Sequence, residues 1–184
     1  NNSLICKESG QFIWKSDDAK KIYVFVRAGK HSFLPIGSGS HAHNDILSLI
    51  LSINNEELFI DHGTFLYNSG IDVINNDRST ANHNTISIAN YEQASFAGKW
   101  LYGNYPVSEF VDDQMIIGKS SFVFHGKCVY SGKSHIRRIE YNHCKFIIND
   151  HIDCAPYDEV SINFLLSPVV TAKKISDTNI ELYK

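Results

Sequence analysis

The stretch GSGSHAHNDILSLILSINNEELFIDHG, residues 37–63, carries two signals that decide how this part of the chain folds. ILSLILSI and ELFID are short apolar runs joined by polar NNE, which is typical of two strands and a tight turn. His41 and His43 precede the runs, and Asp61 closes them. In a strand alternate side chains share a face, so His41 and His43 would point the same way. The stretch therefore predicts a hairpin that carries metal-ligand residue types at its ends.

Similar short runs recur along the chain, from QFIWKS at residues 11–16 to IELY at residues 180–183. They alternate with turn-forming clusters such as YSGKS, SDTN and the DD at residues 112–113, and helical periodicity is hard to find. About a dozen short strands predict an all-β fold, either a two-sheet sandwich or a barrel. We expect residues 1–184 to form a single domain, since neither an internal repeat nor a linker interrupts them.

The composition excludes several function classes. The chain has 43% hydrophobic and 20% charged residues, as ordinary globular proteins do, and no apolar run approaches the length of a membrane span. A formal charge of -3 gives no overall attraction to nucleic acid. The four cysteines lack CxxC spacing, which argues against a thiolate zinc site or a redox motif.

A long segment without strand pattern, residues 62–84, joins Asp61 to a third histidine, His83. Zinc is held by three or four His, Asp or Glu side chains at about 2 Å, so His41, His43, Asp61 and His83 are candidate ligands. If Asp61 ends one strand and His83 begins the next, adjacent strands could present them together. The alternative is a chance cluster, because the chain has nine histidines and an Asp at a strand end is usually a turn residue.

Two β families open their metal site with HxH. Cupins add a Glu three or four residues later, whereas this chain has Leu47 and Ser48 there. A cupin-like iron or manganese enzyme is therefore disfavoured.

The second family fits better. GSHAHNDILSLILSINNEELFIDHGTFLYN, followed by DRSTANHNTISI, resembles the signature region of heparinase II/III-like proteins, with the motifs G-H-x-H-x-D, D-x-G-T-x-x-Y and R-S-T-x-x-H-N-T. The resemblance spans residues 37–88, and His62 stands where the family often has Pro. It implies a multi-stranded antiparallel β-sandwich of the super-sandwich type, which follows an upstream α/α toroid in complete members. Those members are polysaccharide lyases that act on uronic-acid polymers such as heparan sulfate or alginate, in a bacterial periplasmic or surface setting.

The resemblance also assigns roles to residues. Carried over by position, His43, Asp61 and His83 hold a zinc ion, and His41 faces the substrate cleft as the candidate catalytic residue. Arg78 is a candidate sulfate or carboxylate contact, with a loop salt bridge as the alternative. Tyr67 either lends a phenol to the cleft or packs in the core. Asn44, Asn82 and Asn84 are candidates for orienting the metal-bound histidines. His62 is expected to be a loop residue.

The family's catalytic Tyr and its Asn or His partner come from the toroid. We therefore expect this chain to be one domain of a lyase that cleaves an acidic, uronate-containing polysaccharide by β-elimination, and to be inactive alone. The zinc is expected to brace the long segment and position His41, with a catalytic zinc as the alternative. A non-catalytic, zinc-stabilised sandwich that binds glycan or acts as a scaffold is the second hypothesis.

Overall fold

The computed structural model describes residues 3–31, 41–111 and 115–183. The start of the motif at residues 37–40 and the turn predicted at residues 112–113 lie outside these ranges. Within them the regular secondary structure is mostly antiparallel β-strand, which confirms the predicted all-β class.

The first sheet is a meander of five strands in chain order, and each strand pairs with the next. Its strands are β1 (Leu4–Cys6), β2 (Gln11–Lys15), β3 (Tyr23–Arg27), β4 (Leu49–Ile53) and β5 (Glu56–Phe59). In β2 and β3 every second residue is buried, the pattern of strands with one face on a core. The β4–β5 turn has positive φ at Asn54 and Asn55, which suits the right-handed twist of a hairpin.

The second sheet is built on a long three-stranded ribbon. Its strands are β9 (Val107–Phe110), β10 (Ile116–Ile117), β11 (Phe122–Tyr130), β12 (Lys133–Asn142) and β13 (Lys145–Asp153). β11 pairs with β12 along its whole length, and β9 and β10 pair with opposite ends of β11. Three two-stranded pairs complete the fold: β6 (Ile86–Ile88) with β14 (Val160–Ile162), β7 (Phe96–Gly98) with β8 (Leu101–Tyr102), and β15 (Thr171–Lys174) with β16 (Ile180–Tyr183).

The core lies between the two five-stranded sheets. Phe12 and Trp14 of β2 contact Phe122 of β11, with ring centroids 5.3 and 4.9 Å apart, and Trp14 also contacts Tyr141 of β12 at 5.3 Å. All four side chains are buried. Aromatic contacts between the inner faces of two sheets are what a β-sandwich requires.

The segment at residues 62–84 differs from the expected irregular loop. It contains the helix α1 (Ile71–Asp77) and a 3₁₀ helix (Thr80–Asn82). Seven residues make only two turns of helix, which is too short for helical periodicity to be recognised in the sequence. The chain also forms four strands that the sequence patterns did not predict: β1, β7, β8 and β15.

A buried arginine joins the second sheet to the segments around the candidate site. Arg137 of β12 is fully buried, and its Nε and Nη2 donate to the carboxylate of Asp150 on β13 at 2.7 and 3.0 Å. Its Nη1 donates to the carbonyls of Leu47 and Asn84, at 2.8 and 2.6 Å. Since Leu47 precedes β4 and Asn84 follows His83, this guanidinium holds the segments around the candidate site against the second sheet.

The C-terminal strands are the most exposed part of the structure. Every residue of β14, β15 and β16 is exposed, and Ile162 and Ile180 are 56% and 66% exposed. Such apolar surface is typical of a face that packs against other protein. Among the described residues, no helix is long and apolar enough to cross a membrane.

Candidate metal centre

Three ligand-type side chains that are far apart in sequence meet at one point. His43, Asp61 and His83 each offer a ligand atom, and these atoms all lie within 4.8 Å of one another. His43 Nδ1 is 3.2 Å from His83 Nε2, and His83 Nδ1 is 2.9 Å from Asp61 Oδ2. The structure thus brings together the three residues that the family resemblance assigns to zinc.

Each of the three comes from an irregular segment. His41 and His43 do not lie in a strand, Asp61 follows β5 by two residues, and His83 directly follows the 3₁₀ helix. Two expectations are therefore wrong. The HxH segment is not extended sheet, and Asp61 and His83 are not presented by adjacent strands, because β5 pairs with β4 whereas β6 pairs with β14.

The donor geometry fits a zinc ion. Tetrahedral zinc with bonds of about 2 Å places two ligand nitrogens about 3.3 Å apart, close to the 3.2 Å between His43 Nδ1 and His83 Nε2. With these two nitrogens unprotonated, each ring carries its proton on the other nitrogen. His83 Nδ1–H then donates to Asp61, and His43 Nε2–H donates to Thr64 Oγ1 at 3.0 Å. Asp61 either orients the His83 ring in this way or rotates to ligate directly.

Electrostatics keep these groups in the protonation states that metal binding needs. Burial and the neighbouring His83 ring lower the pKa of His43, which favours the neutral imidazole. Burial acts to raise the pKa of Asp61, but the hydrogen bond and charge of His83 outweigh it, so this pKa lies below its ordinary value. At neutral pH the centre therefore offers a neutral imidazole and a carboxylate.

A buried carboxylate at the end of α1 hydrogen-bonds to the segment that follows Asp61. Asp77, at the end of α1, accepts hydrogen bonds from His62 Nε2 at 3.0 Å and from the Phe65 amide at 2.9 Å. Burial acts to raise the pKa of Asp77, and these two hydrogen bonds lower it below its ordinary value. Among the described residues, the ligand cluster does not include His62.

Glu92 connects the segments that carry the two histidines. Its Oε2 accepts hydrogen bonds from Asn44 Nδ2, from the Thr80 amide and from Thr80 Oγ1, each at 2.7 Å. Asn44 follows His43 directly, and Thr80 begins the 3₁₀ helix that ends beside His83. Sequence analysis missed Glu92, since it belongs to none of the motifs.

The three asparagines predicted to orient the histidine rings hold other groups instead. Asn84 Nδ2 donates to the carbonyls of Leu49 and Ile60, at 2.8 Å each, and so holds the residue before Asp61. Asn44 contacts Glu92, and Asn82 donates to a backbone carbonyl of α1. The expectation that they orient the rings is wrong, because Thr64 hydrogen-bonds to His43 and Asp61 to His83, whereas none of the three asparagines hydrogen-bonds to either ring among the described contacts.

His41 lies at the mouth of a small recess beside the centre. The recess has a volume of about 10 Å³. Its lining includes His41, His43, Thr64, Tyr67 and Trp100. The His41 ring lies 6.0 Å from the ring of Tyr67 and 6.4 Å from that of Trp100. Tyr67 is 55% exposed, so the alternative that it packs in the core is wrong.

Arg78 also lines this recess, but it is only 1% exposed. Its Nη2 donates to Asn75 Oδ1 and to the Gly98 carbonyl, both at 2.7 Å, and its Cζ lies 4.5 Å from the centroid of the Tyr102 ring. In the part of the chain described, no carboxylate forms an ion pair with it, so the loop salt bridge is not observed. Its contact with an anionic group remains a prediction.

Comparison with known proteins identifies a family for the chain. The chain matches the family described as "Heparinase II/III-like, C-terminal" over residues 3–182. A search of curated proteins finds no match.

Several solved structures share the fold. A structure of heparinase III has 15% sequence identity and a TM-score of 0.72, with 98% of this chain and 27% of that chain covered. Heparan sulfate lyase HepC from Pedobacter heparinus has 16% identity and a TM-score of 0.70, covering 93% and 25%. The heparinase III-BT4657 gene product has 17% identity and a TM-score of 0.69, covering 92% and 25%. The chain thus spans about a quarter of the length of these proteins.

The family match covers nearly the whole chain, and the three candidate ligand residues meet at one point of a β-sandwich. The chain belongs to the Heparinase II/III-like, C-terminal family.

Proposed function

We propose that this chain is a zinc-braced domain of a lyase that cleaves a uronic-acid-containing polysaccharide by β-elimination. The observation that carries the proposal is the convergence of His43, Asp61 and His83 beside a recess whose mouth holds His41. The heparinase III and heparan sulfate lyase structures that share the fold support an acidic glycosaminoglycan as substrate.

β-Elimination on a uronate needs three groups: one to neutralise the carboxylate, a base for the proton on C5 and an acid for the leaving 4-oxygen. His41 is exposed at the recess and is the candidate to contact the uronate or to move one of these protons. Tyr67 places a phenol beside it. We propose that the remaining base and acid come from an upstream α/α toroid of a longer protein, so that the chain alone is inactive.

A metal at this centre has a bracing role. His83 lies at the end of the helical segment, whereas His43 and Asp61 lie on either side of the β4–β5 hairpin. Two imidazoles and a carboxylate are a donor set that zinc prefers, and a zinc ion here would supply positive charge beside the recess. By fixing His43, the centre also fixes the backbone two residues from His41.

Packing against a further domain has independent support. The exposed apolar side chains of β14 and β16 form surface that soluble monomers rarely leave open. A toroid domain of the same protein would bury part of it.

The metal centre is tested by elemental analysis combined with a thermal melt before and after chelation. We expect about one zinc per chain and a Tm that falls by roughly 5–10 °C on chelation, for an ion bound at about 100 times its Kd. His83→Ala should lose both the metal and the chelator effect, whereas His151→Ala, an exposed histidine on β13, should keep both. A metal-free chain with an unchanged Tm would contradict the zinc assignment.

The lyase activity is tested in a longer protein that contains this chain, by the ultraviolet absorbance of the unsaturated uronate product. Heparan sulfate and alginate are the substrates to compare. Zinc binding without turnover of either acidic polymer would favour the non-catalytic glycan-binding sandwich instead.

A further inference from the structure

An aromatic pair stands at the mouth of the recess beside the metal centre. The rings of Tyr67 and Trp100 are stacked, with centroids 5.7 Å apart and planes inclined by 26°. Tyr67 is 55% exposed, and Trp100, on the turn between β7 and β8, is partly exposed. A stacked aromatic pair at the surface offers a flat apolar face, the kind of surface on which the C–H face of a pyranose ring packs.

The size of the recess determines how a sugar can occupy it. Its volume of about 10 Å³ is room for about one water molecule. A pyranose ring therefore cannot enter and must lie on the rim, where His41 and Tyr67 are exposed and Trp100 is partly exposed. Only one atom of a ring substituent, such as an oxygen, has space to reach inward.

A buried positive charge below the aromatic pair decides which substituent is favoured. Arg78 is 1% exposed, and the Cζ of its guanidinium lies 6.0 Å from the centroid of the Trp100 ring. Its Nη1 has no hydrogen-bond partner among the described residues. Its other donors go to the neutral oxygens of Asn75 and Gly98.

Among the described residues, no carboxylate is in direct ion-pair contact with this guanidinium. Asp45 forms an ion pair with Arg27, and Glu92 is held by the neutral donors of Asn44 and Thr80. A buried cation that lacks a counter-ion is costly, so an anionic group at the recess would stabilise it.

We propose that Trp100 and Tyr67 form a stacking subsite for one acidic sugar residue, whose carboxylate or sulfate is held at the recess by the charge of Arg78. This inference deepens the proposed function and rests on it. Trp100 would position the sugar ring next to His41 and the metal centre, and it is the residue that selects the ring face.

The two tryptophans of the chain make the subsite measurable. Trp14 is fully buried in the core, whereas Trp100 is partly exposed, so acrylamide should quench the fluorescence of Trp100 and spare that of Trp14. The probes are a heparan sulfate tetrasaccharide, an alginate tetrasaccharide and neutral cellotetraose. We expect an acidic tetrasaccharide to protect Trp100 from acrylamide, and cellotetraose to bind at least roughly tenfold more weakly (about 1.4 kcal/mol). Equal protection by cellotetraose would overturn the preference for an acidic sugar.

Variants of Trp100 distinguish the loss of ring stacking from a loss of the folded structure. By calorimetry, Trp100→Ala should weaken binding of the acidic tetrasaccharide roughly tenfold, whereas Trp100→Phe, which keeps an aromatic face, should retain most of it. Tyr157→Ala is the matched control, since Tyr157 is 89% exposed and does not line the recess. The buried Trp14 reports on the fold of each variant. Unchanged binding in Trp100→Ala would overturn the subsite.

Zinc content measured on the same samples shows whether a negative result refutes only the stacking subsite or also the proposed metal centre. One zinc per chain without protection of Trp100 by either acidic probe overturns the subsite alone. A chain without zinc contradicts the metal centre, whatever the fluorescence shows.

Discussion

Asp150→Asn should destabilise the chain strongly and in a pH-dependent way. The carboxylate of Asp150 is 7% exposed and pairs with Arg137, which is fully buried, at 2.7 and 3.0 Å. It also accepts a hydrogen bond from His135 Nε2 at 2.7 Å. Asparagine has nearly the same shape but carries no charge, so the variant leaves the buried guanidinium without its counter-ion.

The pKa of Asp150 indicates how much stability the variant should lose. Burial acts to raise this pKa, but the hydrogen bonds of His135 and Arg137 outweigh it and lower it from the ordinary value of 3.8 to about 2. A difference of this size corresponds to about 2.5 kcal/mol of stability at neutral pH. Because breaking a buried ion pair also strands the partner charge, we expect a total loss of about 3 kcal/mol.

The pH dependence follows from the direction of the shift. Since the folded pKa lies below the unfolded one, the stabilisation is complete above about pH 4 and is lost as the pH falls towards 2. Urea unfolding measured from pH 6 to pH 2.5 gives the free energy of unfolding of the wild type and of Asp150→Asn. The difference between the two proteins should therefore fall from about 3 kcal/mol at pH 6 to about 1 kcal/mol at pH 2.5. The control is Asp153→Asn, an exposed aspartate on the same strand, which should cost less than about 0.5 kcal/mol. A gap that is constant across this range, or no larger than that of the control, would refute the reasoning.

Three further predictions concern the site. In a longer lyase that contains this chain, His41→Ala should lower turnover by about a hundredfold or more without changing zinc content, and unchanged turnover would remove His41 from the cleft. Glu92→Ala leaves three donors without an acceptor and should lower the free energy of unfolding in urea by roughly 2–4 kcal/mol. Glu92→Gln keeps an acceptor oxygen and should lower it by less. Equal losses in the two variants would contradict the role of Oε2. Asn84→Asp places a carboxylate against two carbonyls and should lower the stability by about 3 kcal/mol or more, and a Tm equal to that of the wild type would contradict this placement.

Local patterns in the sequence were sufficient for the fold class. Period-two runs and turn residues identify strands, because each strand must bury one face and end at a turn. Twelve strand runs were predicted, and the four strands that were missed contain only two to four residues each. The resemblance to the heparinase II/III-like motifs named His43, Asp61 and His83 as candidate ligands, and the structure brings the three together although the strand geometry expected around them was wrong.

Tertiary structure alone decided the surroundings of the site. Glu92 meets Asn44 across 48 residues, and Arg137 reaches the Leu47 carbonyl across 90 residues. Such contacts depend on how the sheets pack, and no local periodicity encodes them. The same is true of Trp100, which reaches Tyr67 only because the β7–β8 hairpin folds over the helical segment. The sequence by itself determined the strands and the candidate ligands, whose signals are local. Packing between distant elements decided which side chains contact the candidate ligands and which aromatic rings line the recess.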